Sequence, residues 1–434
     1  MSLPVPLLIN GESITTPKTF PIISPYTNTE IWSSSSASPE DALRAVEAAN
    51  AAFPSWSTTK PTLRRDILLK AAANLEASLD ENASYMRQEM GADVGASAGF
   101  VVPLAIRMLR DIASRITSIC GSVPIVEAEG QSAIIYKEAM GVILGIVPWN
   151  APYVFGIRSA ACALAAGNTT ILKSSELTPR CYWAIGKAFQ DAGLPDGCLN
   201  VIHCAAEDAP GVVNAMIEHE AVRKVNFTGT WGKNSSIVCQ DADLGVAVQG
   251  VLAGAFLNSG QICMATDRIL VHSSIVGAFT AALQGALSGA AAAAADPPTL
   301  VNVASKARVE ALVAGAVSAG AHFISGSGKG AAGEGEESFA SVAAIMPFDS
   351  EEEAIRLANG SGYGLSASVF TEDLRKGLRM AKRIQSGAVH INSMTIHDEP
   401  ALPHGGVKNS GWGRFNTEEG LNEFLVSKSV TWMD

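Results

Sequence analysis

The stretch Gly141-Val-Ile-Leu-Gly-Ile-Val147 opens a regular alternation of apolar strands and helices, and this alternation decides the fold. An alanine-rich helix is predicted at 154–166, and Asn168-Thr-Thr-Ile-Leu-Lys173 predicts the next strand. The order repeats with helices at 179–192 and 207–218 and with strands at 199–202 and 222–227. Strands this apolar, separated by helices, predict a parallel sheet covered on both faces.

The rest of the chain adds helices and a second α/β region. We predict amphipathic helices at 39–53 and 61–80, a helix at 281–295, and a hairpin within 119–139. The second region has helices near 304–318, 349–359 and 372–384 and strands near 342–347, 366–370 and 387–392. The segment 423–432 predicts one more strand, suited to covering a sheet edge such as that of a partner subunit.

Composition excludes several classes of function. A chain of 434 residues is too long for one core, so we expect two or three domains. The net charge of −11, without a basic stripe, argues against nucleic acid. No signal peptide or run of bilayer length is evident, so no membrane contact is expected. Seven cysteines without a C-x-x-C pair favour a reduced, cytoplasmic protein, and the histidine pattern predicts no metal site.

A single cysteine, Cys263, stands out in the run Asn258-Ser-Gly-Gln-Ile-Cys-Met-Ala265. The run follows small and apolar residues at 247–257 and precedes a predicted strand at 268–272. A thiol at such a junction is presented as nucleophiles usually are. Taken alone, a buried structural cysteine is the more common alternative.

Three further motifs follow predicted strands. Val147-Pro-Trp-Asn150 places an amide donor at a strand end, where it can stabilise an oxyanion. The strand at 168–173 leads into Lys173-Ser-Ser-Glu176, and the strand at 222–227 leads into Phe227-Thr-Gly-Thr230. Ligands of parallel sheets bind at the carboxyl ends of strands, so these motifs are expected to share one edge.

In this order, and with Gly260-Gln-Ile-Cys263, the motifs resemble the NAD(P)-dependent aldehyde dehydrogenase superfamily, nearest its salicylaldehyde and vanillin dehydrogenase branch. The resemblance runs from Asn10-Gly-Glu12 to Gly405-Gly-Val-Lys-Asn-Ser-Gly411. It implies an α/β fold with a Rossmann-type parallel-sheet cofactor domain, an α/β catalytic domain and a small β oligomerisation element. The implied boundaries are 1–118 with 140–240 for NAD binding, 241–412 for catalysis, and 119–139 with 413–434 for assembly into a homodimer or homotetramer.

The resemblance assigns roles by position. Cys263 matches the nucleophile and Asn150 the oxyanion donor, with the Cys263 backbone N–H as the second donor. Lys173 and Glu176 match residues that hold the adenosine ribose, and a carboxylate there favours NAD over NADP. The other cofactor positions are Trp149, Gly229, Thr230, Glu337 and Phe339.

Each role has a structural alternative that the sequence leaves open. Lys173 and Glu176 can form a surface ion pair, and Asn150 can cap the following helix. Glu337 can belong to a solvated acidic loop.

The chain departs from the family pattern just before Lys233. The family carries its general-base glutamate in a Glu-Leu-Gly-Gly-Lys motif, whereas only two residues separate Thr230 from Lys233 here. A crossover helix does not fit in two residues, so a helix, most of a strand and the base are missing. A general base contributes ~10²–10⁴ in rate, or about 3–5 kcal/mol of barrier.

A second segment is missing near 328–336, where glycine-rich sequence runs directly into Glu336-Glu-Ser-Phe339. Ala340-Ser341 replaces the family's Gly-Pro, which puts the placement of Glu337 in doubt. Two losses between intact motifs resemble excised blocks, as in a mis-spliced or mis-predicted gene. A transcript that restores the glutamate motif would support this hypothesis, and one identical to this chain would exclude it.

The resemblance also suggests a substrate. The loop Asn392–Gly406 resembles the branch that takes aromatic aldehydes, although His404 replaces its usual Phe. Apolar residues beside the two catalytic motifs are expected to form a tunnel for the ring: Tyr153, Phe155, Ile262 and Met264. His397 and Asp398 suggest acid–base chemistry, but a loop hydrogen bond is the preferred interpretation.

Three functions remain open at this stage. The first is an NAD-dependent aldehyde dehydrogenase that forms a carboxylic acid through a cysteine thioester, impaired by its missing base. The second passes the thioester to coenzyme A, a better nucleophile than water. The third is a non-catalytic relative that binds a nucleotide or a partner. The tolerated losses suggest secondary metabolism rather than a central pathway.

Overall fold

The computed structural model describes residues 3–229, 232–293, 298–324 and 338–433. The strands are β1 Leu7–Ile9, β2 Glu12–Ile14, β3 Thr19–Ile23, β4 Glu30–Ser35, β5 Gln131–Ala139, β6 Val142–Ile146, β7 Thr169–Lys173, β8 Leu199–Ile202, β9 Val222–Phe227, β10 Asn234–Val238, β11 Thr266–His272, β12 Ala344–Phe348, β13 Tyr363–Gly364, β14 Ser366–Phe370, β15 Ala388–Ile391, β16 Val407–Lys408 and β17 Leu425–Met433. The helices are α1 Pro39–Ser57, α2 Pro61–Ala77, α3 Leu79–Met90, α4 Val102–Arg115, α5 Pro152–Ala165, α6 Pro179–Asp191, α7 Ala209–Ile217, α8 Leu244–Phe256, α9 Val276–Ala293, α10 Val303–Ser318, α11 Glu351–Asn359, α12 Leu374–Arg383 and α13 Thr417–Asn422.

The first sheet has the order β2-β1-β8-β7-β6-β9, and its four strands β6 to β9 are parallel. This confirms the predicted alternation and the α/β class. Every residue of α5 is buried. Its small side chains allow close packing on the sheet, and a Cβ at Gly145 of β6 would clash with Ser159. The apolar strands β6, β7 and β8 are therefore covered as their composition predicts.

The edge strand β9 is different from the other parallel strands. Its residues alternate between half-buried and exposed, and Phe227 is 64% exposed. Among the described residues, no strand pairs with the free side of β9. The chain instead passes within 228–233 to β10, which lies in another sheet. The first sheet thus ends where the sequence predicts a missing helix and strand.

The second sheet is parallel throughout, in the order β12-β11-β10-β14-β15. Helices α8 and α9 pack on one face and α11 and α12 on the other, around separate apolar clusters. The change of sheet falls between β9 and β10, ahead of the proposed domain boundary at residue 240. Asn234–Val238 belongs to the second sheet, although it falls inside the predicted cofactor domain; the domain boundaries themselves stay predictions.

One sequence prediction about the β segments is wrong, and another is confirmed in its main part: the segment 423–432 forms a strand that covers a sheet edge. The 119–139 region does not form a hairpin of two strands, since β5 pairs antiparallel with β17 along its whole length. Only an isolated bridge between Ser122 and Ile135 remains of the expected hairpin. The terminal strand therefore covers an edge within its own chain, because β5 offers nine partners in register. This ribbon was predicted as the oligomerisation element, and that assignment stays a prediction.

Candidate active site

The polar motifs of the first sheet converge on one edge. Ile146, at the end of β6, lies in register with Lys173 of β7 and with Phe227 of β9. Trp149 and Asn150 follow β6, Glu176 follows β7 and Gly229 follows β9. The carboxyl ends of parallel strands form the binding edge of such sheets. The structure therefore places the three motifs at one edge of the sheet, as the sequence predicts.

Cys263 lies in a sharply turned loop between α8 and β11. Asn258, Ser259 and Gly260 all have positive φ angles, of 52°, 57° and 72°. A Cβ at Gly260 would clash with the Ala340 carbonyl, so glycine is required there for space as well as conformation. The turn reverses the chain and presents Cys263, 8% exposed, at a pocket wall.

Gln261 holds this loop in place. Its buried side chain donates to the Asn258 carbonyl at 3.2 Å and to the Thr299 carbonyl at 3.0 Å. Its Oε1 accepts from the Val301 N–H at 2.8 Å. A fully bonded amide stabilises a loop at no desolvation cost, which gives the Gly-Gln pair before the cysteine a structural reason.

Asn150 lies directly beside the cysteine loop. It is 5% exposed, and its Nδ2 donates to the Gln261 carbonyl at 3.1 Å. Helix α5 begins after Ala151 without a side-chain cap, so the alternative of a capping asparagine does not apply. An amide N–H held next to the nucleophile is suited to an oxyanion hole.

Asn150 and Cys263 line one pocket together with apolar side chains. Phe155, Ile262 and Met264 belong to its wall, as the sequence predicts. Tyr153 does not line it; the ring is fully buried and its hydroxyl donates to Asn82 Oδ1 at 3.1 Å. The expectation for Tyr153 is therefore wrong, because its position on α5 turns it into the helical core.

One wall of the pocket is polar and charged. Arg158 and Asp398, 2% and 3% exposed, form an ion pair of 2.5 Å. Burial raises the pKa of the Asp398 carboxyl, but Arg158 overrides this, so the pKa lies below its ordinary value. Burial lowers the pKa of His404, on the same wall, to about 4. Asp398 is thus a paired carboxylate, in agreement with the structural interpretation of the loop, and His404 is neutral at physiological pH.

Two predicted cofactor residues follow β7. Lys173 is 7% exposed, and Glu176 is half-buried and accepts from the Ser175 hydroxyl at 3.3 Å. Among the described ion pairs none joins Lys173 to Glu176, so the surface-pair alternative does not apply. Both side chains stand at the binding edge, and their roles remain predictions.

Other predicted cofactor residues come from distant segments. The rings of Trp149 and Phe339 meet edge to face, with centroids 5.7 Å apart. Gly229 is half-buried behind the Phe227 ring. Thr230 and Glu337 lie outside the described residues. The structure therefore brings Trp149 and Phe339 together and leaves Thr230 and Glu337 untested.

The segment that replaces the missing base packs against the cysteine loop. Asn234 donates to the Cys263 carbonyl at 2.8 Å and to the Ala265 carbonyl at 2.9 Å. A Cβ at Gly232 would clash with the Cys263 carbonyl. Of the carboxyl groups that the structure describes, only Asp398 lines the pocket, and its partner Arg158 fixes it as an anion. The pKa values of Asp398 and His404 on this wall both lie below the near-neutral range of an efficient general base.

Sequence reasoning missed two pocket residues, Arg158 and Asn258, and one support of the cysteine loop, Asn234. Arg158 sits mid-helix in α5 and belongs to no periodic pattern or motif, and Asn234 follows the join at 232–233. Asn258 begins the cysteine run, and nothing in the sequence marks its side chain as part of the pocket. A charged residue in an otherwise uncharged, alanine-rich helix is the one sign in the sequence that marks Arg158.

Comparison with known proteins identifies the family. The aldehyde dehydrogenase family profile matches residues 13–231, 230–337 and 331–430. A vanillin dehydrogenase of Pseudomonas fluorescens is 39% identical over 99% of this chain and 98% of its own length. A salicylaldehyde dehydrogenase of Pseudomonas putida is 33% identical over 95% and 94%. The chain belongs to the aldehyde dehydrogenase family, a family of enzymes.

Solved structures agree with this assignment. Salicylaldehyde dehydrogenase from Pseudomonas putida G7, complexed with salicylaldehyde, has a TM-score of 0.95 and 31% identity, and covers 100% of this chain and 99% of its own. Betaine aldehyde dehydrogenase from Staphylococcus aureus, in complex with NAD+, has a TM-score of 0.93 and 29% identity, and covers 99% and 95%. The predicted branch of the family is thereby confirmed.

The comparisons also bear on the missing segments. The family match breaks at residues 230–231 and again within 331–337, the two places where the sequence lacks family motifs. The alignment with the vanillin dehydrogenase extends over 480 positions, more than the 434 residues of this chain. The relative therefore carries residues that this chain lacks.

In the described part of the chain, no helix is long and apolar enough to cross a membrane, and no metal-binding cluster occurs.

Proposed function

We propose that this protein oxidises an aromatic aldehyde with NAD through an acyl-enzyme at Cys263, and that it releases the acid slowly. The observation that carries the proposal is the shared pocket of Cys263 and Asn150, with the Asn150 amide against the cysteine loop. The first part of the reaction needs these two groups, whereas the second part needs a base, and none lines the pocket among the residues that the structure describes.

The chemistry begins with the thiol of Cys263, which loses its proton to water. The thiolate attacks the aldehyde carbon, and the carbonyl oxygen becomes an oxyanion within reach of the Asn150 Nδ2 and the Cys263 N–H. A hydride then leaves the tetrahedral carbon and the carbonyl re-forms as a thioester. NAD, when bound, supplies the acceptor for that hydride.

The residues at the sheet edge fit the ribose of NAD better than its pyrophosphate. Lys173 and Glu176 provide the donor and acceptor that ribose hydroxyls require, and Trp149 with Phe339 provides an aromatic wall. A carboxylate repels a 2′-phosphate, which supports NAD over NADP. The structure of β9 supports weaker binding of the pyrophosphate, because no described helix follows that strand to offer its N-terminus.

Hydrolysis of the thioester is the step we expect to limit turnover. Water must lose a proton as it attacks, and a positioned base speeds such a step by ~10²–10⁴. His404, with a pKa of about 4, is a weak base, and Asp398 is held by Arg158. The acyl-enzyme should therefore accumulate.

The aromatic class of substrate is supported by relatives named for vanillin and salicylaldehyde. The side chains of Phe155, Ile262 and Met264 offer an apolar wall for a ring.

A homo-oligomer is supported by the β5–β17 ribbon, which exposes Trp432 and Met433. A Met433→Lys variant that keeps the mass of its parent in light scattering would contradict assembly through this surface. A cytoplasmic location and a role in secondary metabolism remain predictions.

The proposal is tested with purified protein, NAD and a panel of aromatic aldehydes while NADH absorbance is followed. We expect a rapid phase of about one NADH per chain and a slow phase after it. A panel without a rapid phase contradicts the proposal. Coenzyme A is added in a parallel series, and a large acceleration of the slow phase would favour the acyl-transfer alternative.

A further inference from the structure

Asn258 is a buried side chain of the pocket whose amide has no partner among the described residues. It is 2% exposed and lines the same pocket as Cys263. Within the part of the chain that the structure describes, neither its Nδ2 nor its Oδ1 makes a hydrogen bond. Leaving a buried amide unpaired costs about 1–3 kcal/mol, so such a group points to a ligand that completes it.

The backbone of the loop fixes this side chain in the pocket. Asn258 adopts a positive φ of 52°, a conformation that asparagine tolerates better than most residues. Its own carbonyl accepts from the Gln261 side chain at 3.2 Å. The amide is therefore placed by the same contacts that position Cys263, five residues further along the chain.

A second unpartnered donor lies on the same pocket wall. The Nε of Arg158 is buried and makes no hydrogen bond to any residue that the structure describes, although another nitrogen of its guanidinium pairs with Asp398. The Asp398 carboxylate is already satisfied by Arg158 and Asn416. The pocket thus offers an amide that both donates and accepts, and a charged donor, apart from the groups that carry out the reaction.

We propose that Asn258, with Arg158 beside the same pocket, forms a polar subsite that binds a hydroxyl group on the aromatic ring of the aldehyde. This inference rests on the proposed function, because it concerns the substrate of the same pocket. A phenolic hydroxyl is both donor and acceptor, so it matches an amide that lacks both partners. An unsubstituted ring would leave the amide unpaired, which makes Asn258 a residue that sets specificity.

The test measures binding, so that it does not depend on turnover. Salicylaldehyde and benzaldehyde are titrated calorimetrically into a Cys263→Ala protein, which holds the aldehyde without reacting. The titrations are repeated with a protein that carries both Cys263→Ala and Asn258→Gly. Glycine at position 258 keeps the positive φ and removes the amide. Ser259→Gly is the matched control: it has the same loop conformation, but its hydroxyl binds the Thr299 N–H outside this pocket.

We expect salicylaldehyde to bind about tenfold more tightly than benzaldehyde to the parent, a difference of about 1.4 kcal/mol. Asn258→Gly should abolish the difference, and Ser259→Gly should keep it. Asn258→Asp, which preserves the shape and the acceptor but loses the donor, should reduce the difference without abolishing it. It also serves if the glycine variant does not fold.

Two results would overturn the subsite. One is equal binding of both aldehydes by the parent, and the other is an undiminished difference in both Asn258 variants. If neither aldehyde binds the parent, the proposed aromatic substrate fails with it. If both bind equally, the proposed function stands and only the subsite is wrong.

Discussion

The cysteine loop and the carboxyl end of β9 both belong to the predicted site, but the chain has very different amounts of supporting structure around them. The loop keeps every contact that presents a nucleophile: the positive-φ turn, the Gln261 bonds and the Asn150 amide. At the β9 edge no described strand continues the first sheet, and Phe227 is largely exposed. Nucleophilic attack and hydrolysis draw on different halves of the site, so losing one half need not remove the other.

The largest expected effect is on the intact half. Cys263→Ala should abolish the rapid NADH phase, a loss on the order of 10⁶-fold for a nucleophile. Cys239→Ala is the matched control, because Cys239 is a buried thiol whose pKa burial raises to about 11. Stopped-flow absorbance of both variants provides the measurement. A rapid phase that survives in Cys263→Ala would show that the cysteine loop does not supply the nucleophile.

Asn150→Ala should slow the rapid phase by ~10²–10³, the cost of one oxyanion-hole donor. NAD affinity should be unchanged, because the amide contacts the cysteine loop and not the ribose residues. Single-turnover kinetics with saturating aldehyde measures the first quantity, and fluorescence titration with NAD measures the second. An unchanged rapid phase would remove Asn150 from the chemistry.

The difference between the interior strand β7 and the edge strand β9 can be measured as the loss of unfolding free energy when a side chain in each is truncated. Ile171 in β7 is fully buried, so Ile171→Ala should cost about 2–5 kcal/mol of unfolding free energy. Phe227→Ala in β9 should change it by less than about 0.5 kcal/mol, since the ring is 64% exposed. Urea unfolding compares the two. A large cost at Phe227 would mean that another segment covers the edge.

The smallest expected effect concerns the choice of cofactor. Glu176→Gln removes the charge that disfavours a 2′-phosphate while leaving an acceptor for the ribose. Affinity for NADP relative to NAD should rise about tenfold, the size of one or two screened charge contacts. Paired titrations with both nucleotides give the ratio. If the ratio does not move, Glu176 does not face the adenosine ribose.

Much of this fold was predictable because its information is local. The apolar strands 141–147 and 168–173 and the helix at 179–192 fold as their patterns indicate. The error at 119–139 arose because the partner of β5 lies almost 300 residues away in β17, beyond any local pattern. Motif order placed Cys263 and Asn150 in one site, whereas the roles of Arg158 and Asn258 depend on burial and missing partners, which sequence does not display.

An intact nucleophile combined with slow release of the acid should leave the acyl group on most chains. Intact-protein mass spectrometry, seconds after mixing the protein with NAD and salicylaldehyde, tests it most directly. We predict a mass increase equal to one salicyl group, located on the peptide of Cys263, in most chains, and its removal by hydroxylamine. An unmodified protein that nevertheless accumulates many equivalents of NADH would contradict the account, because hydrolysis would then keep pace without the missing base.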